Sequence, residues 1–192
     1  MATLQQHDRM CQAMKCITFA SAVFATVSVA RTALAAEVEF QANDARSVMH
    51  IEKSENRNQV HYGLHLSPGC APASDTPVYV YWRQRERGPD VVLPLLSIER
   101  PAYGISAQRV LARTAMAGRV SLRLRALPHR ELTIDSWRDQ SGVCRTRVTL
   151  RIANQAAILD SVFAQIGFLR VDYVLIAGTT PAGTHVKERI DP

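Results

Sequence analysis

The sequence predicts an all-β fold: a single antiparallel domain of about eight to ten strands, closed as a barrel or folded as a sandwich. Two observations carry this. Period-two alternation of apolar and polar residues keeps returning along the chain, as in Val60, Tyr62, Leu64 and Leu66 between Gln59, His61, Gly63 and His65, and again in Val120, Leu122, Leu124 and Ala126 between Arg119, Ser121, Arg123 and Arg125. Helical periodicity is almost absent; only Ile158, Val162, Phe163 and Ile166 would also suit a helix face.

Taken in order, the first strands flank a charged, Asn-rich knot in "IEKSENRNQVHYGLHL". If Lys53 faces Asn58, then Ile51 faces Val60 and Met49 faces Tyr62 on one side, while Glu52 faces Gln59 and His50 faces His61 on the other. A slip of one residue would set Ile51 against His61, so the register that keeps one apolar face is expected, with Ser54 to Arg57 as a four-residue hairpin loop. Val78-Tyr79-Val80-Tyr81-Trp82 is apolar or aromatic on both faces and reads as a central strand, with Pro77 at its start where a missing N–H costs least. Further strands are expected near 105–114, 130–137, 144–153, 157–165, 169–178 and 184–190.

Ahead of this domain, Lys15 precedes an uncharged stretch from Cys16 to Ala30 and then the small-residue run Ala33-Leu34-Ala35-Ala36. Such a stretch is too short to span a bilayer core of roughly 30 Å, and the A-x-A pattern marks cleavage after Ala35, so 1–35 is expected to be a signal peptide, with Met14 the better start. The mature domain is then 36–192, and the localisation periplasmic or secreted. Losing Arg9, Lys15 and Arg31 together with Asp8 lowers the formal net charge of +6 by two. The modest positive charge that remains, spread along alternating strands, does not point to nucleic acid.

The mature chain keeps two cysteines, Cys70 and Cys144, and an exported chain with two cysteines is expected to join them. On the polar sides of three successive strands stand Arg119, Arg123 and Arg125, then Glu131, Thr133 and Asp135, then Arg145, Arg147 and Arg151. In a simple meander the acidic strand lies between two basic ones. Cross-strand ion pairs account for much of the pattern, and the surplus arginine makes this face a candidate for phosphate, sulfate or acidic glycan.

Histidines raise the question of metal. His61 and His65 are roughly 13 Å apart along a strand, too far to share an ion. His50 and His61 are cross-strand neighbours roughly 5 Å apart, with Glu52 diagonal to His61, which makes His50, His61 and Glu52 the weak metal candidates on a face otherwise expected to be solvated. In "IERPAYGI", Pro101 ends regular pairing, Gly104 allows a bend, and Tyr103, Glu99 and Arg100 are the weak ligand-binding candidates; Tyr103 is expected to pack on the core with its hydroxyl on a buried backbone group. No G-x-S-x-G, Walker loop, G-x-G-x-x-G, H-E-x-x-H or paired-cysteine zinc motif occurs, and no cofactor is implied.

The segments "IEKSENRNQVHY", "PVYVYW", "IERPAYGI" and "VDYVLIAGTTPAGTHVKERI" stand in the order seen in a bacterial family known as domain of unknown function 4833, which the chain resembles from about Ser47 to Ile190. Pro101 interrupts one of these motifs, and Thr180-Pro181-Ala182 replaces a more polar turn. The resemblance implies an exported β domain and brings no catalytic residues.

The expectation is therefore a calycin-like barrel or a sandwich acting as a non-catalytic module that binds an unknown small ligand or an envelope component, with no transmembrane segment in the mature chain. The alternative is a hydrolase of envelope material with dispersed catalytic residues. Intact-mass analysis of protein recovered from its native compartment should find an N-terminus at Ala36 or within a few residues; full-length protein there would refute the leader.

Overall fold

The computed structural model describes residues 47–53, 58–84, 91–167 and 171–191. The leader and the hairpin loop 54–57 lie outside these residues. Eleven strands are described: β1 (Ser47–Lys53), β2 (Gln59–Leu64), β3 (Val78–Gln84), β4 (Val91–Pro94), β5 (Ile105–Arg113), β6 (Ala117–Leu124), β7 (Glu131–Arg138), β8 (Cys144–Ile152), β9 (Gln155–Ile166), β10 (Val171–Thr179) and β11 (His185–Ile190). One helical turn, α1 (Arg100–Tyr103), precedes β5. The segment that also suited a helix is the long strand β9, whose Ala157, Val162 and Ala164 are buried.

Sheet order runs β4-β3-β2-β1-β9-β8-β7-β6-β5, with β10 on the other edge of β9 and β11 outside β10. The first hairpin has the register that burial demanded: Ile51 faces Val60, Met49 faces Tyr62, His50 faces His61 and Glu52 faces Gln59, and Lys53 N–H donates to Asn58 O at 3.1 Å. β9 is the pivot. Its Gln155–Ile158 end pairs antiparallel with Thr149–Ile152 of β8, and its Val162–Ala164 stretch pairs parallel with Ile51–Lys53 of β1. Between the two, Asp160 has no counterpart in β10: Leu159 faces Gly178 and Ser161 faces Ala177. Such a bulge bends a strand where it changes partners. Gly178 is needed there, because a Cβ would come within 2.5 Å of Ile158 O and 2.7 Å of Ile152 Cδ1.

Among the described residues the ladder does not close. It ends at β4 and at β5, so the barrel expectation is replaced by a folded-over sheet whose two wings enclose one core, in the manner of a sandwich. That core joins Ile51, Val60, Tyr62 and Leu64 of the first wing to Leu122, Leu132, Ile134 and Ile152 of the second. Where a barrel would place a β3–β5 ladder, a side chain substitutes for backbone: Gln108 of β5 accepts from Val78 N–H at 2.8 Å through Oε1 and donates to Val78 O at 3.2 Å through Nε2. The strand twist of a sheet this wide splits it into packed layers more readily than it closes it.

Two further ties hold the wings together. Cys70, buried in the turn after β2, is bonded to Cys144 at the start of β8, with Cα atoms 5.3 Å apart across 74 positions of sequence. In the chain-entropy account a loop of that length contributes roughly 4 kcal/mol by restricting the unfolded chain. Arg138 at the end of β7 donates to Pro68 O in the same turn. Around the core's other side, Glu188 of β11 pairs with Arg130 and accepts from Ala153 N–H at 2.7 Å.

The hairpin register gives a direct test. Ile51 is fully buried while its neighbour Glu52 is exposed. In chemical denaturation Ile51→Asp should cost about 4 kcal/mol or more, and Glu52→Ala about 0.5 kcal/mol or less; the opposite ranking would reverse the two faces.

Candidate functional site

The corner where α1 meets the core is built by three aromatic residues and one carboxylate. Pro101 suits the first turn of a helix, where its missing N–H goes unused. The turn is closed by Tyr103 N–H donating to Glu99 O at 2.9 Å and Gly104 N–H to Arg100 O at 2.8 Å. Glu99 Oε2 accepts from the Trp82 indole N–H at 2.6 Å and from Leu96 N–H at 2.9 Å. Tyr103 meets the Trp82 ring edge-on at 5.4 Å. Glu99 and Tyr103 are thus brought together, whereas Arg100 is exposed and joins the corner by its backbone carbonyl.

The hydroxyl of Tyr103 does not do what the sequence led one to expect. It is buried with no hydrogen-bond partner among the described residues, and the tyrosine bonded to a buried backbone group is Tyr62, whose hydroxyl donates to Tyr103 O at 2.7 Å. Burial, and then the Glu99 charge, push the Tyr103 phenol up to about 12. Burial, and then Tyr103, push Tyr62 further up.

A second locus is the outer side of β1–β2–β3, expected to be a solvated histidine face. It is not solvated. His61, Gln59 and Tyr81 are buried, at 5%, 7% and 1% exposure. The rings form a continuous row: His50 to His61 at 5.1 Å, His61 to Tyr81 at 5.3 Å, Tyr81 to Tyr79 at 5.8 Å and Tyr79 to His65 at 4.3 Å. Gly63 makes room for this row, since a Cβ there would come within 2.1 Å of Tyr79 Cζ. His61 lies 2.7 Å from Ser47 Oγ through Nδ1 and 3.0 Å from Gln59 Oε1 through Nε2. Its ring is thus stacked and hydrogen-bonded to Ser47 and Gln59, and the described residues contain no group of three His, Cys, Asp or Glu side chains placed to hold a metal ion, so His50, His61 and Glu52 do not converge as a metal set.

The third locus is the outer side of β5–β8, and here the arginine pattern falls in register. Arg119 faces Asp135, which faces Arg147, and Arg123 faces Glu131. Asp135 serves two guanidinium groups, at 2.6 Å from Arg119 Nε and 3.8 Å from Arg147 Nη2. Glu131 accepts from Ser121 Oγ at 2.5 Å and lies 3.9 Å from Arg123. Arg147 also sits over the half-buried Trp137 ring at 5.6 Å. Arg145 contacts Asp139 at 2.7 Å. That carboxylate is held well below the usual range by the Ser141 hydroxyl and Arg145, and by the Val143 N–H of the hairpin turn it organises.

The model of the family described as domain of unknown function (DUF4833) matches residues 49–189. The chain belongs to that family. No curated protein and no solved structure matches it. The DUF4833 segment takes in the Glu99–Tyr103 corner, the imidazole row, the arginine face and both bonded cysteines, while Ser47 lies two residues ahead of it. Within the described residues of this DUF4833 chain, no helix is long and apolar enough to cross a membrane. Sequence reasoning had not picked out Ser47, Gln59, Tyr62 or Trp82; only the apolar-on-both-faces run at Val78–Trp82 hinted that the outer side of β3 would be covered.

The two core tyrosines should respond oppositely to loss of the hydroxyl. Tyr103→Phe removes a buried group without a partner and should leave stability within about 0.5 kcal/mol of the parent or raise it, whereas Tyr62→Phe strands Tyr103 O and should cost about 1 to 2 kcal/mol. Because the folded Tyr103 phenol titrates near 12 rather than 10.0, the unfolded chain ionises first. Its ionisation therefore leaves stability untouched below pH 10 and lowers it as pH climbs from 10 through 12. Melts of Tyr103→Phe between those values should show a shallower alkaline decline than the parent.

Proposed function

We propose that this chain is an exported binding module that holds an anionic envelope polymer, an acidic glycan, on the outer face of β5–β8. The observation that carries the reading is Asp135 shared between Arg119 and Arg147, which leaves more guanidinium than carboxylate across three strands in register. Arg119, Arg123, Arg145 and Arg147 keep about half of their side-chain surface in solvent, at 55%, 51%, 59% and 48%. Half-exposed arginines tethered on one side by a carboxylate are fixed in direction at little entropic cost, and their remaining N–H groups fit carboxylate or sulfate in a two-point geometry. The half-buried Trp137 ring, with Arg147 over it, adds apolar surface beside them. Binding of this sort needs no catalytic group. The leader read from the sequence and the Cys70–Cys144 bond favour an extracytoplasmic site of action.

Dextran sulfate and neutral dextran of equal length, compared by calorimetric titration at rising salt, test the reading. Dextran sulfate should bind and weaken steeply with salt, since exposed charges are screened beyond roughly 8 to 10 Å. Arg119→Gln with Arg147→Gln should weaken it by roughly tenfold, about 1.4 kcal/mol. Equal binding of both dextrans, or none of either, would overturn the proposal.

A further inference from the structure

The β-bulge that opens β1 gives Ser47 an unusual position. Regular alternation would put Ser47 on the same side as Met49, in the core. Instead Ser47 faces Gly63 while Met49 faces Tyr62, so Val48 is the extra residue and Ser47 turns to the outer side, where Gly63 and His61 lie. Bulges re-aim side chains in this way. The result is a hydrogen-bonded chain of three groups, with His61 Nε2 3.0 Å from Gln59 Oε1 and Nδ1 2.7 Å from the Ser47 hydroxyl; the amide oxygen can only accept, which selects the tautomer with the proton on Nε2 and leaves Nδ1 to accept from Ser47. Met49 O, at 3.3 Å, is the weaker of the two acceptors open to that hydroxyl. The imidazole is buried and clamped between the His50 and Tyr81 rings, whereas Ser47 is exposed. The hydroxyl of an exposed serine, bonded to the unprotonated nitrogen of an imidazole whose other nitrogen is held by a fixed acceptor, has the arrangement of an activated nucleophile.

We infer that Ser47 is an acyl-accepting nucleophile with His61 as its general base and Gln59 as the residue that positions the imidazole, and that its substrates are carboxylic esters. Ser47 Oγ bonds to the ester carbonyl carbon as its proton passes to His61 Nδ1. The C–O bond to the alcohol then breaks, and the alcohol leaves with that proton. Water, deprotonated by the same nitrogen, attacks the acyl-serine, releases the acid and restores the serine hydroxyl. Gln59 is neutral and stabilises an imidazolium less than a carboxylate would, which suits esters, with their better leaving groups, rather than amides. This site stands apart from the arginine face and does not rest on the anion-binding reading.

A fluorophosphonate tests the nucleophile without requiring the natural ester: the Oγ–P bond forms, the P–F bond breaks and fluoride leaves as the serine proton moves to His61. Incubation of the purified full chain should add one phosphonyl group, mapped by tandem mass spectrometry to the tryptic peptide Ser47–Lys53. Ser47→Ala should abolish that adduct with an unchanged dextran sulfate titration and a melt lowered only by the loss of the His61 hydrogen bond. No adduct on the parent protein, or an adduct on another residue with Ser47 unmodified, would overturn the inference; the parent measurement decides it even if the variant were to misfold.

Discussion

One edge of β9 serves two strands, and the architecture follows from that division. A strand edge carries a single row of N–H and C=O groups, and here the first residues of β9 give theirs to β8 and the later ones to β1. The two partners cannot lie side by side, so the sheet separates into wings from this point, with the Asp160 bulge and the bare backbone of Gly178 supplying the bend. Every other strand pairing among the described residues joins neighbours in sequence; the β1–β9 pairing alone is long-range and parallel. Two local meanders are therefore joined by one distant contact. That contact closes a loop of most of the domain before any of its burial is gained, which is the costly kind of contact in folding. The Cys70–Cys144 bond and the Gln108 clamp on Val78 reinforce the join from other sides of the core.

Much of this was legible in the sequence because it is written in period-two burial. The β1–β2 register follows from placing Ile51 and Met49 against Val60 and Tyr62, and the acid strand between two basic ones follows from assuming the shortest meander through Arg119, Asp135 and Arg147. The cysteine pair was legible by counting. Closure was not: whether a long antiparallel sheet joins its ends depends on stagger and twist accumulated over many strands, and no local pattern encodes that. β4 and α1 were also missed, because four-residue elements carry too little periodicity to register.

The site residues divide along the same line. Glu99 and Tyr103 were singled out from one motif and do meet, but Trp82 and Tyr62, which complete their corner, arrive from strands about twenty and forty positions upstream. Ser47 was invisible for a sharper reason. Alternation assigns it to the core, and only the one-residue bulge at Val48 turns it outward; a bulge shifts register without leaving a compositional mark.

The two outer faces show that alternation fixes which side a residue takes and not whether that side is wet. Both wings alternate apolar with polar, yet the polar side of β2 is buried and the polar side of β6 to β8 is exposed. The difference lies in residue type. Imidazole, amide and phenol groups can leave water once each finds a partner, as His61 does between Ser47 and Gln59, because the net cost of burying a satisfied neutral dipole is small. A guanidinium stays charged under all ordinary conditions, and its removal from water is offset only by a closely placed anion. Asp135 supplies one carboxylate for two such groups. An arginine row with fewer carboxylates than cations is therefore held at the surface by physical necessity, facing either water or an anion that comes from outside the chain.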